Sequence, residues 1–357
     1  MHHEPDSKKD RPVRRTVLGT VAGVAAGYAL GHLGSDSGGD GRVGDRGTGA
    51  GPHTRPTDGF VFERLSDPDR TVARAADGGT LATFTDDART AVLAGPTRTF
   101  SEPRTTAATV TTRAWVRVMP YEWQRGAERR DWFARWFSRA LGDTSPDVFA
   151  VAFQYSSAGA PDKYDSAGVR YRGTAHFGPR NQEVDNPLAF AYHDVQSDFY
   201  DYLGIPWAFP DGTRMRPEKA RYGHVDCSGF QRLLWGYRMG IPLLHTNTDS
   251  GGTGLPRRAF AIAAHGPGRL LIPHTGERLT DLSTLQPGDL VFFAIIRERP
   301  KLIDHVGMYM GLDDRGHHRF YSSRSAANGP TMGDLAGRAL LDGTGFYARG
   351  LRAARRL

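Results

Sequence analysis

The apolar residues of this chain change spacing several times, and each change predicts an element. Thr80-Leu81-Ala82-Thr83-Phe84-Thr85 alternates between polar and apolar, the period of a half-buried strand. Thr90-Ala91-Val92-Leu93 reads as strand up to Gly95-Pro96, a turn signal. Thr109 to Met119, with Val110, Trp115, Val116 and Val118, completes a β-rich stretch. The spacing then becomes helical. Trp132, Phe133, Trp136, Phe137 and Leu141 share one face of an amphipathic helix over Glu128 to Leu141, and core packing accounts for that aromatic stripe. Val148 to Tyr155 is apolar enough for a buried helix or strand.

The second half is patterned differently. After Cys227, the residues Phe230, Leu233, Leu234 and Tyr237 fall at the i, i+3, i+4, i+7 spacing of one helical face. Asp226 is placed to cap that helix, and Gly240 followed by Pro242 ends it. A glycine-rich polar loop spans Thr246 to Arg258. Pro287-Gly288-Asp289 then marks a turn into Leu290 to Phe293, a fully buried strand. A charged loop from Arg297 to Lys301 leads to Asp304-His305-Val306-Gly307-Met308-Tyr309-Met310-Gly311, a second strand. A turn at 313–316 precedes a third, Arg319-Phe320-Tyr321-Ser322-Ser323. The order is a helix followed by an antiparallel meander, an α+β arrangement. No internal repeat and no GxxxxGK[ST] phosphate loop occurs.

The N-terminus follows other rules. Arg14-Arg15-Thr16-Val17-Leu18-Gly19 opens an apolar run that extends to about Leu33 behind a basic segment with Lys8, Lys9 and Arg11. This pattern is that of a twin-arginine export signal over 1–34. Gly19, Gly23, Gly27 and Gly31 recur every four residues, as in a closely packed membrane helix, so an uncleaved anchor is the competing reading. Either places the protein outside the cytoplasmic membrane, with any membrane contact made through this segment alone. Residues 35–59 hold almost nothing apolar and are expected to be a disordered linker. The remainder divides into a β-rich subdomain with its amphipathic helix over 60–145 and a second domain over 146–357.

Charge narrows the partners. The formal net charge is +7, carried almost wholly by arginine, since the lysines are Lys8, Lys9, Lys163, Lys219 and Lys301 only. Such a surface suits retention on an anionic polymer. The positive residues are spread along the chain and not gathered into a basic, aromatic-interleaved stripe, which argues against a nucleic-acid binder.

Cys227 is the one cysteine in 357 residues. It cannot form an internal disulfide or build a thiolate metal site by itself, which leaves an inert buried thiol or a nucleophile. The first turn of a helix favours thiolate over thiol through unpaired N–H groups and the helix dipole, and the thiolate is the reactive form. The local pattern leaves both readings open. Thirteen histidines compete as its partner. His305 opens a strand; His224 is a loop residue near the cysteine; His317 and His318 fall at a hairpin turn and, being adjacent, cannot face one metal.

Three strings in this order, Asp226-Cys227-Ser228-Gly229-Phe230, Leu285-Gln286-Pro287-Gly288-Asp289-Leu290-Val291-Phe292-Phe293 and Asp304 to Gly311, resemble the NlpC/p60 family of bacterial cell-wall cysteine peptidases. The likeness covers about 195–357, including Tyr202-Leu203-Gly204-Ile205-Pro206-Trp207. It implies a papain-like core, a nucleophile helix packed on an antiparallel sheet. It implies Cys227 as nucleophile, His305 as general base and later acid, and the Cys227 N–H as an oxyanion donor. The third, histidine-orienting position of the family is often histidine, and here it falls on Ser322, a shorter orienter. A tyrosine that recognises the substrate's amine is replaced by Trp207; Asp226 and Ser228 join it as expected substrate-binding residues. The implied activity is hydrolysis of amide bonds in peptidoglycan stem peptides, at the γ-D-glutamyl to diamino-acid link, by a monomer without metal or organic cofactor. The alternatives are a thiol amidase or acyltransferase on the same fold, or a catalytically inactive wall-binding protein.

Overall fold

The computed structural model describes residues 59–357 apart from 158, 181–192, 194, 250 and 297–298. The expected export signal and all but the last residue of the expected linker therefore lie outside the described residues, as does part of the charged loop at 297–301.

The β-rich stretch is a five-stranded antiparallel meander: β1 Val61–Leu65, β2 Arg70–Arg74, β3 Thr80–Thr85, β4 Thr90–Ser101 and β5 Thr109–Val118. The first two strands extend the sheet beyond the alternating run at Thr80. Gly95-Pro96 is not a turn. β4 runs on to Ser101, and its pairing with β5 shifts register between Ala94 and Arg98. The Trp115 ring lies 2.4 Å from where a Cβ on Gly95 would sit, so a bulge at glycine lets that ring cross the strand. The amphipathic helix is α1, Asp131–Ala140. Its Phe133 and Phe137 are buried with Phe84 and Trp123, the latter two stacked at 4.4 Å, so the aromatic stripe is core.

A short α2, Val148–Ala152, ends in a 3₁₀ turn at Phe153–Tyr155. Two small hairpins follow, β6 Lys163–Tyr164 with β7 Arg170–Arg172, and β8 Trp207–Ala208 with β9 Arg214–Met215. Between them stands α3, Phe199–Leu203, with a complete capping box from Asp198 and Asp201. The cysteine helix begins as α4, Cys227–Gln231, and widens into a π-helix over Arg232–Arg238. Its apolar face is buried as expected at Phe230, Leu233 and Leu234, with Trp235 added. The widening changes the spacing that an ideal α-helix would impose and coincides with Gly236, where Leu243 lies 2.3 Å from a Cβ position. Gly240, at φ 78°, stops it.

Helix α5, Ala259–His265, then leads into a six-stranded antiparallel sheet in the order β10-β15-β11-β12-β13-β14. The strands are β10 Arg269–Ile272, β11 Leu290–Phe293, β12 His305–Leu312, β13 His318–Arg324, β14 Gly329–Thr331 and β15 Leu351–Arg356, the last entered from α6, Phe346–Gly350. The expected meander is β11-β12-β13. The C-terminal strand is the unexpected part, because it inserts between β10 and β11.

Alternation sorts the sheet into two faces. Val306, Met308 and Met310 share a core with Phe230 and Leu233 of the cysteine helix, while Phe293, Phe320 and Tyr347 pack on the other side. Phe100, Val110 and Val116 of the N-terminal sheet belong to the same core as the cysteine helix, and the described residues lie in one compact unit. Polar ties reinforce that union. Arg356 donates to both Asp289 oxygens at 2.8 Å and to Thr85 Oγ1 at 2.6 Å, all buried. Thr90 N–H donates to the Leu357 carbonyl at 2.6 Å.

Candidate active site

Asp226 caps α4 as its sequence position suggested, accepting the Gly229 N–H at 2.8 Å, so Cys227 occupies the first turn. That turn wedges against the start of β12. The thiol donates to the Asp304 carbonyl at 3.8 Å and accepts the Val306 N–H, two backbone groups that bracket His305. Next to it, Ser323 Oγ donates to the Val225 carbonyl at 2.8 Å, fixing the helix entry to β13. His305 points to the face holding Phe293 and Tyr347, with ring centroids at 5.6 and 5.4 Å. Its Nε2 lies 3.1 Å from Ser322 Oγ. Ser322 sits on β13 diagonally across from it, since Met308 pairs with Tyr321. The structure thus brings Cys227, His305 and Ser322 to one corner of the sheet, with the serine hydroxyl against the imidazole.

The charge state differs from the expectation of a ready thiolate. Burial, followed by the negative charge of Asp226, pushes the Cys227 thiol up to about 12. Burial, with Arg324 adding to it, pushes the His305 imidazole down to about 3. Both groups are therefore neutral at pH 7 in the unliganded site. The first-turn effect of one short helix is smaller than the desolvation of a thiol that is 8% exposed. Burial also raises Asp304 to about 6, against two backbone N–H groups, Ile295 and Ile296, that donate to it. Alkylation by iodoacetamide checks this state. The rate should be slow at pH 7 and climb about tenfold per pH unit above it. A plateau reached below pH 7 would instead show a preformed thiolate–imidazolium pair.

The other expected binding residues are placed as follows. Asp226 and Ser228 are buried and committed to Arg257, which donates to Asp226 Oδ2 at 2.6 Å and to Ser228 Oγ at 2.9 Å. Arg257 also lies 3.4 Å from Asp198, which pairs with Arg232 at 3.0 Å. Asp226, Arg257, Asp198 and Arg232 form a buried network of alternating charge. A cavity of about 300 Å³ opens beside it, lined among others by Tyr200, Phe209, Arg216, His245, Arg257 and Arg258. Trp207 is not among its lining residues. It is half-buried, edge-on to Phe199 at 5.0 Å and to Tyr237 at 6.0 Å. Tyr237 is ten residues beyond Cys227, on the order of 15 Å along the helix. Trp207 thus packs against the far half of the cysteine helix.

Three residues that sequence reasoning missed complete the corner. Tyr347, 5% exposed, covers the imidazole, and its hydroxyl bonds Arg324. The Arg324 guanidinium lies 5.4 Å from that ring. Arg257 is the third. No local pattern marks any of them, since each acts through a partner distant in sequence. His224 lies beside His176 at 5.5 Å and bonds the Tyr222 carbonyl, while His317 and His318 bond Asp342 and Tyr309 separately.

Residues 211–332, the span holding the cysteine helix and the strands of His305 and Ser322, match the model of the NlpC/P60 family. That segment of the chain is similar to the NlpC/P60 family. Solved structures similar to it include an NLP/P60 family protein described as similar to lipoprotein from Staphylococcus aureus, at 17% identity and TM-score 0.24 over 65% of this chain and 54% of that one. NlpC1 from Trichomonas vaginalis matches at 15% identity and TM-score 0.28, over 84% and 77%. An NlpC/P60 family protein from Bacillus cereus matches at 15% and 0.25, over 83% and 78%. The chain spans about half the length of the Staphylococcus protein. No curated protein matches. Within the matched span the helix start and the β12–β13 pair supply the thiol, imidazole and hydroxyl; the strand-rich region before residue 119 precedes it.

Proposed function

We propose that this protein is an exported cysteine peptidase that hydrolyses amide bonds in peptidoglycan stem peptides, at the γ-D-glutamyl to diamino-acid link. The observation that carries the reading is the corner itself: a thiol in the first turn of a helix, hydrogen-bonded to the backbone on both sides of His305, with Ser322 on the imidazole. In this reading Cys227 Sγ attacks the scissile carbonyl as His305 takes its proton, so the neutral pair ionises only when substrate is present. The Cys227 N–H, in the helix's first turn and without a helical acceptor, stabilises the oxyanion. His305 then protonates the leaving amine, the C–N bond breaks, and water hydrolyses the thioester with His305 again as base. Ser322 holds the ring through Nε2, leaving Nδ1 for the proton. The twin-arginine-type segment would deliver a folded monomer beyond the membrane, and the arginine-rich surface would hold it on the anionic wall.

The test is mass spectrometry of muropeptides digested by the wild type and by Cys227→Ala, because the new termini identify the bond cut. New γ-D-glutamyl termini with the wild type alone support the reading; identical spectra from both proteins overturn it in favour of an inactive wall-binding protein. Ser322→Ala is expected to lower kcat by about 10- to 100-fold with KM little changed, since the serine only orients the base. A larger loss in KM than in kcat would remove it from the triad.

A further inference from the structure

The connection between β4 and β5 reaches across to the edge of the catalytic sheet. Its Glu102 is 4% exposed, and its Oε2 accepts the Thr331 hydroxyl and the Met332 N–H, both at 2.7 Å. The Thr105 hydroxyl lies 3.3 Å from the same oxygen. Thr331 is the cross-strand partner of Ser322. Strand β14 is three residues long and forms the edge of the sheet, so it has no further strand to hold it. The arm supplies that support. Thr106 Oγ1 donates to Asp334 at 2.6 Å, and the Asp334 N–H donates to the Thr105 carbonyl at 3.0 Å. Gly333 closes the contact: Thr105 Oγ1 lies 2.1 Å from where a Cβ would stand, so only glycine lets the arm approach.

We infer that Glu102 is a positioning residue for the catalytic corner, acting through β14 to hold Ser322, and that the N-terminal sheet is thereby part of the enzyme. The route is short. Glu102 binds Thr331 and Met332, Thr331 pairs with Ser322, and Ser322 holds His305 Nε2 at 3.1 Å. Without the carboxylate, the Met332 N–H and the Thr331 hydroxyl lose their acceptor in a buried site. The three-residue strand then frays, and the serine is free to leave the imidazole.

This inference rests on the peptidase reading for its kinetic arm only. The test compares the full chain with Glu102→Ala, Glu102→Gln, Ser322→Ala and the double variant Glu102→Ala/Ser322→Ala. Amide hydrogen exchange over 322–333 needs no substrate. Glu102→Ala should speed exchange there by about 10- to 100-fold, the range by which small misplacements also cost turnover. Glu102→Gln, which keeps an acceptor oxygen, should recover most of the protection. On muropeptides, Glu102→Ala should lower kcat with KM unchanged and have no further effect in the Ser322→Ala background. Exchange unchanged at 322–333 overturns the proposal, as does a full additive loss of kcat in the double variant. Wild-type protein inactive on muropeptides would count against the peptidase reading alone, with exchange still deciding the role of Glu102.

Discussion

Cys227→Ala is expected to abolish hydrolysis of peptidoglycan stem peptides while leaving the fold intact. The loss in kcat should be about 10⁴-fold or more, because removing a nucleophile leaves only binding and oxyanion stabilisation. The fold should survive because the thiol contributes little to it: one 3.8 Å hydrogen bond to a carbonyl and the acceptance of the Val306 N–H. Alanine is small and apolar, and the site around the thiol is buried, so melting should shift by only a few degrees. Cys227→Ser makes the sharper comparison. Serine keeps a donor for the Asp304 carbonyl but is a poor nucleophile here, so it should be as inactive as alanine. Serine retaining substantial turnover would mean that the sulfur is not the attacking atom. The measurement is release of new amino termini from purified muropeptides under single-turnover conditions.

Arg257→Met is expected to be among the most destabilising single changes in the molecule, by about 3–5 kcal/mol, the usual result of stripping one partner from a buried ion pair. Arg257 bridges Asp226, which is 1% exposed, and Asp198, also 1% exposed. Asp198 keeps Arg232, but Asp226 is left with the Gly229 N–H and the Ser228 hydroxyl and no cation. Because Asp226 also caps α4, the strain falls on the turn that carries Cys227. Denaturant titration of Arg257→Met against Arg257→Met/Asp226→Asn tests the cause. Asparagine keeps the cap through its carbonyl oxygen and carries no charge, so the double variant should regain most of the stability. Failure to regain it would assign the loss to packing of the arginine stem.

The same network sets an acid limit. Burial alone would raise Asp198, but Arg232 and Arg257 outweigh it and hold the carboxylate below its ordinary value. Its contribution is therefore complete above the unfolded carboxylate range and is lost as pH falls through the lowered value. His305 acts over an adjoining range. Its imidazole is pushed down to about 3, so protonation favours the unfolded chain progressively as pH drops below about 6.5.

Much of the corner was legible because it is built from local signals. The cap at Asp226, the apolar face from Phe230 to Leu234 and the buried strand before His305 are each readable within a few residues. Ser322 was reached through the likeness of ordered motifs, and the structure sets its hydroxyl 3.1 Å from the imidazole. Trp207 was reached in the same way, yet it packs on Phe199 and Tyr237. A two-residue strand in a small hairpin has little pattern from which to judge its facing. Gly95-Pro96 misled for a related reason: the same pair that makes a turn also makes a bulge, and Trp115 of the neighbouring strand selects between them.

Sequence by itself determined that a cysteine opens a capped helix, that a histidine opens the second strand of a meander, and that a strand-rich region precedes both. These are properties of periodicity and capping, which act over one or two turns of chain. Only the tertiary structure decided that thiol and imidazole stay neutral, that Arg257 occupies Asp226 and Ser228, and that Tyr347 covers the histidine. It also decided that Glu102 reaches the strand opposite Ser322. Desolvation and ion pairing depend on which distant segments close around a group. Glu102 and Thr331 are separated by 229 positions yet share a hydrogen bond, and no window along the chain contains both.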